Sequence, residues 1–336
     1  MKMRRIGPFE VAEIGLGCMN LSHAYGTPPE PAAAEALLLQ ALDAGVTLFD
    51  TAALYGFGAN ETLVGRVLKA HRSRIVLSSK GGMTGQPVGA GGALQRVIDG
   101  RPASIQRDCE DSLRRLGTEV IDVYYLHRWD KSVPIEDSVG AMARLVEQGK
   151  VRALGLSEVS AATLQRAQAV HPIAALQTEY SLWTRNPEIA VLQACADSGT
   201  AFVAFSPVGR GFLGGAPLDA AAFSLKDIRR AMPRFEPAHA AANAALLPAL
   251  AELAAQAGCT PAQLALAWLL ARGDHIIPIP GTTQAAHLQE NLGAAAITVP
   301  TAVMAALDTL FAPGRISGAR YNAQNESEVD TERFAA

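Results

Sequence analysis

A single-domain α/β protein, folded as a (β/α)8 TIM barrel, is what this sequence predicts, on three observations. Eight short apolar or β-branched runs alternate with helical patterns along the chain. No stretch rich in Pro, Gly or Ser divides the 336 residues into separate units. Polar residues recur at the ends of the apolar runs, where a parallel barrel gathers its chemistry. Strict alternation of β and α requires a parallel sheet with right-handed crossovers, and eight units suit a closed barrel better than an open sheet.

In chain order, MRRIGPFEVAEIGLG reads as a short N-terminal hairpin that plugs the lower end of the barrel ahead of the first barrel strand. The strand segments are EIGLGC (13–18), TLFDTA (47–52), RIVLSSK (74–80), DVYYLH (122–127), VRALGLS (151–157), AALQTEY (174–180), AFVAFSP (201–207) and HIIPIPG (275–281). Between them, EPAAAEALLLQALDAG, SIQRDCEDSLRRLG, IEDSVGAMARLVEQGK and TPAQLALAWLLARG space apolar residues three and four apart, several with Gly at the stop. Ser104, Ser160 and Thr260 are the expected N-caps, Thr260 with Pro261 at the first helical position. Residues 208–240 form a long loop after the seventh strand, the barrel spans about 13–312, and 313–336 is a polar tail.

Composition narrows the function. A net charge of −3 with 18% charged residues offers no basic patch for nucleic acid. No stretch approaches the ~18 uninterrupted apolar residues of a membrane helix, and the N-terminus lacks the apolar core of a signal peptide. Cys18, Cys109, Cys195 and Cys259 are scattered, as buried thiols are in a reducing compartment. A soluble cytoplasmic protein without nucleic-acid or membrane partners is therefore expected. No metal is expected either, because the seven histidines never fall at HxH spacing. GRGFLG (209–214) matches GxGxxG but is followed by no βαβ unit, and GLSEV carries Val159 where a nucleophile elbow needs Gly.

The strand ends carry the chemistry. Asp50 and Tyr55 follow the second strand, Lys80 closes the third, His127 closes the fourth, Ser157 and Glu158 follow the fifth, and Gln177 lies on the sixth. Taken singly, each has an ordinary reading: a helix cap, a rim aromatic, a solvated lysine, a structural histidine. Together they suit reduction of a carbonyl by hydride transfer, which needs a proton donor and a stabilised oxyanion. Tyr55 is the expected acid, with its phenol lowered by the Lys80 ammonium. Asp50 pairs with Lys80, and His127 holds the carbonyl oxygen.

FDTAALYG, the strand end at Lys80, YYLHRWD, GLSE, LQTEYS, AFSPVGRGFLGG and PIPGTTQAAHLQENLGA occur in this order, and along essentially the whole chain they resemble the aldo-keto reductase superfamily, most closely its bacterial and plant general carbonyl reductases. The resemblance implies a barrel that uses NADPH without a Rossmann domain, a tetrad at Asp50, Tyr55, Lys80 and His127, and a small carbonyl substrate. It implies that Ser157 and Gln177 hold the nicotinamide carboxamide, and that Phe205 stacks on the ring where many members have Tyr. Ser206, Pro207, Val208, Gly209 and Arg210 resemble the pyrophosphate loop. Gly281, Thr282 and Thr283 open the helix that receives the adenosine 2′-phosphate, and Glu290 and Asn291 meet the adenine.

Two departures stand out. Glu158 replaces an asparagine common in the family. Gly281, Gln284 and His287 occupy the region where relatives place Lys and Arg on the 2′-phosphate, so NADH is an alternative to NADPH, and Arg210 or the arginines at 229, 230 and 234 are the candidate replacements. Those three arginines otherwise read as a solvated loop face. Met19, Asn20, Tyr25, Phe57, Arg128 and Trp129 are the expected substrate-pocket neighbourhood, with Met19, Tyr25, Phe57 and Trp129 as its walls. Such walls suit aldehydes or ketones rather than sugar phosphates. A regulatory barrel that senses the nucleotide with little turnover is the competing reading.

Overall fold

The structure, a computed structural model, describes residues 1–22, 24–88 and 92–334. Its strands are β1 (Met3–Ile6), β2 (Phe9–Ala12), β3 (Leu16–Gly17), β4 (Leu48–Asp50), β5 (Val76–Gly81), β6 (Met83–Val88), β7 (Ala93–Ile98), β8 (Ile121–Leu126), β9 (Val151–Ser157), β10 (Ile173–Glu179), β11 (Ala201–Phe205) and β12 (Ile276–Pro278). Eight of them form one parallel sheet in the order β3-β4-β5-β8-β9-β10-β11-β12. The sheet curls until its edges meet: the Gly15 amide donates to the Pro278 carbonyl at 3.0 Å, and that of Gly17 to Pro280 at 3.4 Å. Glycine is required at this seam, because a Cβ on Gly17 would stand 2.9 Å from the Ile279 carbonyl oxygen. The (β/α)8 barrel expected from the alternation is thus the fold observed.

Around it run α1 (Pro31–Asp43), α2 (Ala59–Leu68), α3 (Pro102–Leu116), α4 (Ile135–Glu147), α5 (Ala161–Gln168), α6 (Val191–Ser198), α7 (Pro237–Ala244), α8 (Leu247–Gln256), α9 (Pro261–Ala271), α10 (Ala285–Gly293), α11 (Thr301–Leu310) and α12 (Ala323–Ser327). Helices α1 to α6, α9 and α10 follow the eight barrel strands in turn, while α7 and α8 belong to the excursion after β11. Ser160 and Thr260 do cap α5 and α9, and Thr260 forms a full capping box with Gln263. Ser104 does not cap α3. That helix starts at Pro102, whose missing N–H needs no cap, and the Ser104 hydroxyl donates to Asp99 at 2.7 Å.

The β1–β2 hairpin plugs the N-terminal end of the barrel. Ile6 and Val11 are fully buried against inward-facing Leu48, Val123, Ala175 and Ile277. Arg4 pins the plug by donating to the carbonyls of Leu270, Gly273 and Ile276. Three further features differ from the expected layout. Antiparallel β6–β7, inserted between β5 and α3, escapes the sequence reading because Gly85 and Pro87 interrupt its first strand. The 208–240 segment is a series of 3₁₀ turns leading into the first turn of α7, and only Arg230 of its three later arginines is exposed. Beyond residue 313 the chain is no free tail. It folds back over the C-terminal end of the barrel, where Asp330 accepts from the Ser160 amide at 3.3 Å and from the Thr163 hydroxyl at 2.6 Å, at the N-terminus of α5.

Three of the four cysteines are buried and all are free. Among the described residues no single helix is long and apolar enough to cross a membrane, and no cluster of His, Cys, Asp and Glu is arranged to hold a metal ion.

Candidate active site

Parallel register brings the polar strand ends together. Asp50 pairs with Ser78 across β4 and β5, and Lys80 with Tyr125 across β5 and β8, so these side chains reach one end of the barrel. The Lys80 ammonium, fully buried, donates to Asp50 Oδ2 at 2.5 Å, to the Thr51 carbonyl at 2.9 Å and to the Tyr55 hydroxyl at 3.2 Å. Asp50 Oδ1 accepts from Ser78 at 2.7 Å and from the Gln177 amide at 2.9 Å. Every donor that a buried ion pair needs is thereby supplied, and an under-satisfied pair would be costly. His127 meets the Tyr55 ring edge-on, with centroids 5.8 Å apart.

Tyr55 is set by its turn. Gly56, Phe57 and Gly58 have φ of 56°, 51° and 95°, three successive left-handed residues that reverse the chain between β4 and α2. Phe57 adopts this conformation without glycine's freedom, as residues near functional sites do at a cost of order 1–3 kcal/mol. Glu158, Ser206 and Arg210 are left-handed too, each in a loop after a barrel strand.

Burial pushes the Tyr55 phenol up, against the lowering pull of the Lys80 ammonium. The net direction is opposite to the lowering read from the sequence, because exclusion of water outweighs a neighbour that Asp50 already neutralises. For Lys80, burial works against the charge, but Asp50 and Tyr55 outweigh it and the ammonium is raised. The pair therefore presents a protonated phenol beside a protonated amine.

This group opens on a cavity of about 580 Å³, within the usual range for small-molecule sites. Asp50, Tyr55, His127, Ser157, Gln177, Phe205, Ser206, Pro207, Val208, Arg210, Gly281, Thr282, Thr283 and His287 line it, with Met19, Asn20 and Tyr25. Other expected residues do not. Phe57 is 42% exposed and turns outward, since the left-handed turn that places Tyr55 inside sends its neighbour out. Trp129 lies against Arg166 and donates its indole N–H to the Val133 carbonyl at 2.9 Å. Gly209 is buried behind the loop, while Glu290 and Asn291 sit further along α10 than the cavity reaches. Sequence reasoning missed Met83 and Arg96 of the β6–β7 hairpin, and Tyr321, Asn325 and Glu328 of the returning C-terminal segment. No local signal marks them, because they reach the cavity only through unrecognised elements.

Glu158 is 1% exposed and faces away from the cavity. Its carboxylate takes a two-pronged contact from Arg320, at 2.5 and 3.0 Å, and accepts the Glu179 amide at 2.9 Å. Glu179 in turn pairs with Arg210 at 2.5 Å, and Arg210 also donates to the hydroxyls of Tyr25 and Tyr321. The glutamate that departs from the family pattern thus ties the C-terminal segment to the barrel rim.

A closed parallel barrel with a phenol, an ammonium, a carboxylate and an imidazole around one cavity is the architecture of a barrel oxidoreductase. The chain belongs to the aldo/keto reductase family, whose model matches residues 13–312. It is 40% identical over 314 residues to a probable aldo-keto reductase 1 of Glycine max, covering 93% of this chain and 89% of that one. A glycerol dehydrogenase from Gluconobacter oxydans superposes with TM-score 0.84 at 26% identity, covering 99% of both chains. An aldo-keto reductase from Klebsiella pneumoniae, solved in complex with NADPH, superposes with TM-score 0.73 at 28% identity, covering 96% of this chain and 98% of that chain.

Proposed function

We propose that the chain reduces aldehydes or ketones to alcohols with NADPH, and the observation that carries this is the Asp50–Lys80–Tyr55 hydrogen-bonded chain opening beside His127 on the cavity. Family membership and the NADPH complex of the Klebsiella pneumoniae relative support it. The dinucleotide supplies the hydride when bound. Tyr55 Oη gives its proton to the carbonyl oxygen, and the Lys80 ammonium stabilises the phenolate left behind. Asp50 keeps the ammonium charged and aimed, and His127 orients the carbonyl by hydrogen bond.

The cavity suits the dinucleotide. Ser157 and Gln177, each 2% exposed, present buried polar groups for the carboxamide, and Phe205 offers a flat apolar face. Ser206 to Val208 supply a turn for the pyrophosphate, although the Arg210 guanidinium is already paired with Glu179. Thr282, Thr283 and His287 stand where a 2′-phosphate prefers the fixed cation of a lysine or arginine, so NADH is accepted as well.

Titration of the protein with NADPH and NADH, followed by fluorescence and then by their oxidation with 4-nitrobenzaldehyde, is expected to show binding and turnover with both and tighter binding of NADPH. Binding without turnover would replace this reading by a nucleotide-sensing barrel. The raised phenol predicts the pH profile: Tyr55 keeps its proton across neutral pH, so reduction should hold a plateau there and decline only as pH climbs through the ordinary tyrosine range and beyond. A decline beginning near pH ~6 to 7, where histidine titrates, would assign the proton to another group.

A further inference from the structure

Four arginines line the cavity, and their partners set one apart. Arg96 pairs with Glu328 at 2.7 Å, Arg210 with Glu179 at 2.5 Å, and Arg229 with Asp227 at 2.7 Å. Arg128 forms no ion pair with any described residue. Among the described residues, only Nη1 finds acceptors, the His127 carbonyl at 2.7 Å and the Ser157 hydroxyl at 3.3 Å. Both contacts fix the head of the side chain at the edge of the site. Nε and Nη2 donate to no described residue, and Arg128 is one of the residues that line the cavity. A guanidinium held by one nitrogen, with the rest of its fork open, suits a carboxylate, which it meets through two parallel hydrogen bonds.

Topology places this charge at the reacting end. Arg128 follows His127 directly after β8, the fourth barrel strand, whereas Ser206 to Arg210 and Gly281 to His287 follow β11 and β12, the seventh and eighth. In a closed ring of eight, the fourth strand stands across from the eighth. Arg128 is therefore on the side opposite the segments proposed for the phosphates, and its charge is felt at the Tyr55 phenol.

We propose that Arg128 binds a carboxylate carried by the substrate, so that the chain's preferred substrates are aldehydes or ketones bearing a carboxylate group. This rests on the reductase reading above and adds a charged group to the aldehydes and ketones expected from the pocket walls.

The test compares 4-carboxybenzaldehyde with its neutral analogue methyl 4-formylbenzoate, under saturating NADPH, for the unaltered protein, Arg128→Met and Arg128→Lys. The unaltered protein is expected to favour the carboxylate in kcat/KM by about tenfold or more, the range of a charge-assisted hydrogen-bonded pair. Arg128→Met should collapse that ratio through KM, and Arg128→Lys, which keeps charge but not the fork, should restore part of it. Absence of a preference in the unaltered protein would overturn the proposal. So would a fall in both substrates that leaves the ratio unchanged, which would make Arg128 a positioning residue for His127 and Ser157. A weakened NADPH affinity in Arg128→Met with the ratio intact would overturn it too, assigning the charge to the cofactor. Failure of the unaltered protein to turn over either aldehyde would instead sink the reductase reading itself, a distinguishable result.

Discussion

Tyr55→Phe is expected to lower carbonyl reduction by about 10²- to 10⁴-fold while NADPH still binds, because general acid catalysis contributes that much and the phenyl ring keeps its shape. The ring of Tyr55 packs edge-on against His127 and lies beneath the Lys80 ammonium, 4.9 Å from its centroid. Phenylalanine retains both contacts and removes only the hydroxyl that accepts from Lys80. The loss should appear in kcat, since the proton moves only in the transition state, with KM for the aldehyde changed little. Single-turnover oxidation of bound NADPH measures this step without product release. A variant that reduced 4-nitrobenzaldehyde at the unaltered rate would strip Tyr55 of its proposed role.

The largest stability effect is expected at Glu179. This carboxylate, 2% exposed, pairs with Arg210, accepts from the Thr184 hydroxyl at 2.9 Å, and feels Arg320 and Arg234. Glu179→Gln keeps the shape but removes the carboxylate that Arg210 pairs with and whose charge Arg320 and Arg234 feel. Breaking a buried pair in this way costs about 3–5 kcal/mol, because the remaining charge has lost its counter-ion but not its burial. Urea unfolding at neutral pH measures it, and an unchanged midpoint would show that solvent or rearrangement neutralises the arginines. The effect also has a pH signature. Burial raises the Glu179 carboxyl, but Arg210, Arg320 and Arg234 outweigh it and hold it below the usual range. A depressed folded-state value contributes stability that is fully present above the ordinary glutamate titration and lost as pH falls through the folded value. The gap between the two proteins should therefore be constant at neutral pH and shrink in acid.

What was legible in the sequence follows from range. The eight barrel strands could be read because parallel strands buried on both faces are short apolar runs, and Val76–Gly81 and Ile121–Leu126 are buried at every position. Asp50, Tyr55, Lys80 and His127 could be gathered because one rule assigns strand ends to one face of the barrel. Side-chain direction within a loop was not legible. Phe57 and Tyr55 are two residues apart, yet a left-handed turn sends one outward and the other in. Nor were pairings between distant residues: Glu158 meets Arg320 across 162 positions, and nothing local to either names the other. The sign of the Tyr55 shift escaped for a related reason, since a neighbouring charge can be read from a sequence and the exclusion of water cannot.

The first residue and the last described ones lie at opposite poles of the barrel, and this decides where the protein can be handled. Met1 is 46% exposed beside Gly45, at the end closed by the β1–β2 plug. Glu332 is fastened at the other pole, its carboxylate accepting the Ala161 amide at 2.7 Å and its carbonyl accepting from Asn186 at 3.1 Å. A purification tag or surface tether joined at the N-terminus would leave the cavity facing solution. The same handle placed after residue 334 would emerge at the rim that ligands must cross, beside the contacts that seat the last residues on α5.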